Sequence, residues 1–594
     1  MTDDRAIDHQ PWPMRPYILL GLGALAGLLV YLLVDTGPTG PETEDPLRLG
    51  AAASVAVGSA AFAFSLERLR WSWSAVFALA AGLVVGFVTF WNGSPGGWGP
   101  GEGWRFAASF LSVALAVPLF QAYRDSGSRR LDPRTVHEHV WTNVILWCLA
   151  WAFVIAVWLL ANMLAALFDL IGLEWLERLL RREWVVPVLF GGAFGAAVGM
   201  LRDRDAVLVT LQRVGRTILS VLAPALAVGL VLFVLALPFT GLGPLWRETK
   251  ATTPILLACM FGAFVLANAV IGHGADEEAK ARLLRWSAMA LGAVMLPLAI
   301  VAAISMSKRI GQYGFTPDRL WALVIVAVAI AVAGAYLVAL VRRRGAWAPH
   351  IRTTNVALAA GVSLLALFLA LPIVSFGAVS ARNQLAMLES GKVPPDRFDW
   401  RAMRFDFGPS GLRALERLRD KGMTPDIRAR ALAALAASDR WALDGPDAIG
   451  RERKALAAIR ILPQTVPMPA SLRNAVADSR QCAESGLCLL LYRPGEKEAV
   501  LVEPSNCIGR DLDSWQVENT ACEPEVEVYY EHKGKWSDEE PSDRRVPQAA
   551  GEAGLRQARA LADLEALKAN RAEIRPVTRR QVFVDGKPVG DAFE

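Results

Sequence analysis

Eleven long apolar runs, nearly free of charge, fill the chain before residue 380. A hydrocarbon core about 30 Å thick needs roughly 20 helical residues to cross it, and each run is close to that length. They reach from Tyr17 to Val34, Leu49 to Leu66, Ser74 to Trp91, Phe106 to Tyr123, Val140 to Phe168 and Trp184 to Leu201. The rest are Thr217 to Phe239, Pro254 to Gly272, Trp286 to Met306, Leu320 to Val341 and Asn355 to Ala378. None alternates as a strand does, and only helices or closed barrels satisfy the backbone in lipid, so these runs read as transmembrane helices. The second, rich in Ala, Gly and Ser, suits a place inside the bundle. The first reads as a retained signal anchor, because acidic residues precede it and no A-x-A site follows.

Composition agrees with the pattern. Of 594 residues, 54% are hydrophobic and 20% charged, which excludes a soluble cytosolic enzyme, a disordered regulator and a coiled coil. The net charge of +5 includes no dense basic stripe, so nucleic acid is not a partner class. Loop charge gives an orientation. With the N-terminus inside, inner stretches hold 19 Lys and Arg against 10 in outer loops. An odd number of spans then places residues 379–594 on the opposite side, the periplasm if the membrane is a bacterial inner membrane. The fold expected is an all-α polytopic membrane bundle of about 11 transmembrane helices, residues 1–378, followed by a soluble α+β domain, residues 379–594.

In that second part, Gly411 to Lys421 and Pro425 to Leu443 have helical spacing. Cys488 to Tyr492, Ala499 to Glu503, Val526 to Tyr530 and Gln581 to Val584 read as strands, with a charged helix from Ala550 to Asn570 and a hairpin turn at Asp585-Gly586. Cys482, Cys488, Cys507 and Cys522 cluster here, and on an oxidising side they are expected to form two disulfides. The rival zinc reading lacks the short knuckle spacing. Cys148 and Cys259 fall in apolar spans and read as packing residues.

Motifs for phosphate cradles, dinucleotide binding, a nucleophile elbow or a zinc protease are absent, so no catalytic residue, metal or cofactor is expected. His137 and His139 would diverge by about 200° on a helix and read as an exposed loop. The acidic residues Asp35, Glu42, Glu44 and Asp45 read as an ordinary outer loop. Asn162 and Asn268 read as interhelical hydrogen bonds, and Gly23-x-x-x-Gly27, Gly82-x-x-x-Gly86 and Gly195-x-x-x-Gly199 as close helix contacts. Leu173 to Trp184 is amphipathic and reads as a helix lying in the interface.

Two outer-face motifs are denser. Pro238 to Trp246 (PFTGLGPLW) ends the seventh span, and Arg309 to Trp321 (RIGQYGFTPDRLW) leads into the tenth. Glycine turns, an interfacial Trp and a Thr316-Pro317 helix start account for much of both. Arg309, Gln312, Tyr313 and Arg319 remain as candidates for a ligand or partner, and the two arginines suit phosphate or carboxylate. These two motifs, with Ser380, Gln384, Gly391-Lys392 and Phe405-Asp406-Phe407-Gly408, resemble bacterial polytopic proteins catalogued as domain of unknown function 4153. The resemblance covers roughly residues 140 to 420 and implies a polytopic inner-membrane protein without implying an activity.

The reading that follows is a non-enzymatic envelope platform: membrane lipid around the bundle, and a periplasmic binding domain offered to a protein partner or anionic ligand. A transporter or lipid-handling protein is the alternative. An envelope enzyme acting on a lipid-linked substrate is the next.

Overall fold

The computed structural model describes residues 12–34, 45–93, 100–127, 131–243, 251–343, 346–437, 455–462, 467–477, 488–503, 525–532, 534–538, 580–584 and 587–593, with residues 440, 443 and 482. Its first compact unit comprises Met1–Ser390 with Ala402–Ala414, and its second Gly391–Arg401 with Leu415–Glu594.

Unit one is helical. Its long apolar helices are α1 (Arg15–Val34), α2 (Pro46–Ser65), α3 (Trp71–Asn92), α4 (Pro100–Ser126), α5 (Pro133–Asp169), α7 (Val185–Arg202), α8 (Asp205–Thr240), α9 (Thr252–Ile271), α10 (Arg282–Tyr313), α11 (Pro317–Arg343) and α12 (Trp347–Ala370). All eleven are long and apolar enough to span, matching the eleven expected. Short α6 (Trp175–Leu180) lies within the stretch read as interfacial, and α13 (Phe376–Glu389) follows the last span. Asp45 and Asp132 cap α2 and α5 by accepting from backbone N–H groups two residues on, each with proline at the first helical position.

Helix ends depart from the apolar runs in an instructive way. Helix α5 has 37 residues and α8 has 36, which at 1.5 Å per residue is about 55 Å, well beyond the hydrocarbon. Polar ends that look like loop in sequence are thus continued helix. The last run breaks instead: α12 stops at Ala370, and a new helix starts at Phe376 with Ser375 as its cap. Pro372 explains this, since the residue before a proline is pushed out of the helical region.

Small residues set two of the tightest contacts. A methyl group added to Gly23 or Gly27 of α1 would overlap the Gly191 or Pro187 carbonyl of α7, and one at Gly195 would overlap the Leu19 carbonyl. Helices α2 and α3 meet the same way, through Gly50, Ser54, Gly82 and Gly86. All three glycine pairs therefore mark close packing, as expected. One core joins the early helices around Leu19, Val85, Leu146 and Val198; another joins α8 to α12 around Leu291, Met295, Leu298 and Tyr336. Asn268 bridges helices, whereas Asn162 is exposed and donates to Trp158 of its own helix. Cys148 is exposed rather than packed within the bundle.

Unit two holds a five-stranded sheet in the order β1 (Ile459–Leu462), β2 (Cys488–Tyr492), β3 (Glu498–Glu503), β4 (Glu525–His532), β5 (Lys535–Ser537). The β1–β2 pair is parallel and the others antiparallel. A separate hairpin pairs β6 (Arg580–Val584) with β7 (Lys587–Phe593). Alternation on β2 buries Cys488, Leu490 and Tyr492 against Leu472, Val476, Ala499 and Leu501. This sheet, with the helices Pro425–Ala436 and Ala470–Val476 of the same unit, is the α+β part expected. Cys482 and Cys488 form a disulfide with Cα atoms 5.5 Å apart. Cys507, Cys522, the 550–570 helix, the Asp585-Gly586 turn, the acidic residues Asp35, Glu42 and Glu44, and residues 244–246 of the seventh-span motif lie outside the described residues.

Candidate functional site

The successive spans define two ends of the bundle: a near face, where α1 begins at Arg15, and a far face, where α10 ends at Tyr313. On the far face the chain turns from α10 into α11 through Gly314, whose φ of +72° closes the helix. The turn is held from two sides. Arg319 Nη1 donates to the carbonyls of Tyr313 (3.0 Å) and Gly314 (2.8 Å), and its guanidinium stacks over the Tyr313 ring at 5.4 Å. From α13, Gln384 Nε2 donates to the Tyr313 and Phe315 carbonyls at 2.8 and 3.1 Å, and Asn383 Oδ1 accepts the Phe315 N–H at 2.8 Å.

Of the four candidate residues, then, Tyr313 and Arg319 touch each other; Tyr313 and Gln312 are exposed, and Arg309 is half-buried. Beside them lies an aromatic step. Trp104 stacks on Trp321 with centroids 6.2 Å apart, and Trp321 meets Phe376 edge-on. Trp104 Nε1 donates to Asp318 (3.0 Å), while Arg105 donates to the Asn92 side chain (3.3 Å) and the Val374 carbonyl (2.9 Å). Trp104 and Arg105 are not singled out by the sequence, because Asp318 and Val374, the partners that tie them to the later helices, lie more than 200 residues away.

The near face carries two charge networks. In the first, Glu67 meets Arg15 (3.3 Å), Arg124 (3.6 Å) and Arg202 (2.5 Å); Asp203 meets Arg15 (3.1 Å), and Asp125 meets Arg124 (2.8 Å) and His139 (3.0 Å). Arg202 also donates to the Ala63 and Phe64 carbonyls. In the second, Arg352 reaches the Ile271 and Gly272 carbonyls and Glu278, while Glu277 joins Arg216 and His273. Burial, then the nearby guanidiniums of Arg216, Arg134 and Arg352 against an opposing Asp276, pushes the His273 imidazole down to about 4. Neutral at pH 7, it faces Glu277 through Nδ1 at 2.8 Å.

Both histidines read as loop residues sit on α5 instead. Their divergence serves the two networks separately: His139 reaches Asp125, and His137 lies across from His273 with ring centroids 6.3 Å apart. Between the faces, Asn268, Tyr336 and Asn355 close a triangle of hydrogen bonds. Asn268 Nδ2 donates to the Tyr336 hydroxyl (2.7 Å), that hydroxyl to Asn355 Oδ1 (3.2 Å), and Asn355 Nδ2 back to Asn268 Oδ1 (2.8 Å). Ser112 and Ser363 likewise exchange hydrogen bonds with each other's carbonyls, joining α4 to α12.

A family model described as Domain of unknown function (DUF4153) matches residues 48–418, more than half of the chain. The chain belongs to that family. The DUF4153 segment starts in α2 and takes in both near-face networks except Arg15, the asparagine–tyrosine triangle and the whole far-face cluster. It excludes α1 and the disulfide-bearing sheet. No curated protein and no solved structure matches the chain. The DUF4153 description names no reaction.

Proposed function

We propose that this protein is a non-enzymatic platform of the bacterial inner membrane, with a cytoplasmic N-terminus, whose soluble domain (residues 379–594) is held in the periplasm for a protein partner or anionic ligand. The observation that carries the reading is the use of polar groups inside the bundle. Asn268, Tyr336 and Asn355 satisfy one another, as do Ser112 and Ser363, and the arginines Arg15, Arg124, Arg202, Arg216 and Arg352 are engaged at the near face. A conduit for ions or polar solutes needs polar groups turned toward its cargo; an anchor needs them turned toward each other. The exposed Gln312 and Tyr313, with Arg309 and Arg319 nearby in sequence, supply the ligand-facing chemistry in this reading.

Native mass spectrometry of the full chain, released from nanodiscs of phosphatidylethanolamine, phosphatidylglycerol and a polyisoprenyl phosphate, tests it. The expected spectrum shows no enrichment of the polyisoprenyl lipid over bulk phosphatidylglycerol. Stoichiometric retention of that lipid would replace the platform with a lipid-handling or lipid-linked-substrate protein.

A further inference from the structure

The Cys482–Cys488 disulfide stands against a carboxylate, in a place where the sheet calls for an apolar residue. The register that sets Leu489 opposite Val502 carries Cys488 across from Glu503 at the end of β2 and β3. On β3 the face shared with Ala499 and Leu501 is the core face, and the two-residue period continues it to Glu503. Glu503 is 6% exposed; Cys482 and Cys488 are 0% and 1%. Glu503 Oε1 lies 3.6 Å from Cys482 Sγ, and one ligand atom from each of the three residues lies within 4.8 Å of the other two. The local field is negative: burial first, then the Glu527 and Glu503 carboxylates, pushes the Tyr529 phenol well above its ordinary range.

A purely structural staple makes no use of the carboxylate that stands against it. The two cysteines are six positions apart, so the bond closes a short loop and removes less chain entropy than a longer loop would. Two sulfurs and a carboxylate oxygen form the donor set of a thiophilic divalent cation, whose tetrahedral ligands stand roughly 3.3–3.8 Å apart. The C-x5-C spacing is wrong for a zinc knuckle in sequence, but the sheet brings in the third ligand.

We infer that this pair has two states: a disulfide, and a dithiol that with Glu503 holds one zinc-class divalent cation. A protein or small-molecule dithiol reduces the disulfide by exchange. The reductant is oxidised to its own disulfide and its two hydrogens go to Cys482 and Cys488. Binding of the cation then releases both thiol protons, leaving two thiolates and the Glu503 carboxylate as ligands and a fourth position for water. The inference concerns the second unit alone and stands whatever becomes of the platform reading.

Cobalt(II) is the probe. The full chain in detergent micelles, carrying Cys507→Ser and Cys522→Ser, is reduced with a phosphine, freed of reductant without air and titrated. One equivalent of cobalt is expected to bind with thiolate charge-transfer absorption, to be displaced by zinc, and to be absent from the oxidised protein. Glu503→Gln, which keeps both cysteines, should weaken binding by about tenfold or more. Cys482→Ser should abolish the charge-transfer band. If Cys482→Ser fails to fold, the oxidised-versus-reduced comparison and Glu503→Gln decide. Absence of stoichiometric cobalt from the reduced protein, or affinity unchanged by Glu503→Gln, overturns the inference.

Discussion

At the scale of single residues, Gly314 shows how closely the far-face turn is filled. Its positive φ already disfavours any side chain, and a Cβ there would lie 2.6 Å from Met387 Sδ and 2.7 Å from both Asn383 Oδ1 and Gln384 Nε2. Those two amides are the ones that hold the Tyr313 and Phe315 backbone. Gly314→Ala is therefore expected to cost about 1–3 kcal/mol, read as a lowered unfolding midpoint in micelles. Gly311, three residues earlier on α10, has open space around it, so Gly311→Ala should be neutral or slightly stabilising. The RIGQYGFTPDRLW motif announced a turn at this place, and Gly314 and Thr316-Pro317 are legible as turn and helix-start chemistry. What could not be read is that Gln384, some 70 residues downstream, completes it, because a side chain bonded to a distant carbonyl leaves no local spacing.

At the scale of elements, length and apolarity were enough to find every long helix, while the position of their ends was not. Residues such as His137, Arg216 and Lys308 look like loop because they lie outside the hydropathy runs, yet α5, α8 and α10 include them. Backbone hydrogen bonding and neighbouring helices decide where a helix ends, and neither is visible in hydropathy. Strands β2, β3, β4 and β6 were legible from their alternation or apolar runs; four-residue β1 and three-residue β5 are too short to show any period. The α1–α7 contact is the element-level claim most open to test. Ala24 Cβ lies 3.4 Å from where a Cβ on Gly192 would be, so the Ala24→Cys/Gly192→Cys pair should crosslink readily under mild oxidation. Adding Gly27→Leu, whose side chain would collide with the Pro187 carbonyl, should sharply reduce that crosslink, as scored by gel mobility after proteolysis between the helices. An undiminished yield would mean that α1 packs elsewhere.

At the scale of the molecule, the near face explains why the loop charges are so uneven. Arg15, Arg124, Arg202, Arg216 and Arg352 belong to the basic surplus counted in the loops of that side, and each is also tied to a carboxylate at that face. Counting charges detects the surplus but not the pairing, which depends on residues brought together from six or more helices and their loops. With an odd number of spans, alkaline phosphatase fused after Glu594 is expected to be active and a fusion at Gly345 inactive. The reverse at Glu594 would invert the proposed orientation or change the number of spans.

The first of those arginines also raises a matter of timing. Arg15 is made early, but its hydrogen-bond partner at Arg202 lies 187 residues later, and the glycine face of α1 is matched by α7, close to that same point. At about 5–20 residues per second, synthesis leaves α1 waiting roughly 10–40 s for its neighbour. Arg15 can meet Glu67 after only 52 residues, but the groove stays unfilled through that interval, so α1, made before α2 to α6, is among the last of the early helices to be seated.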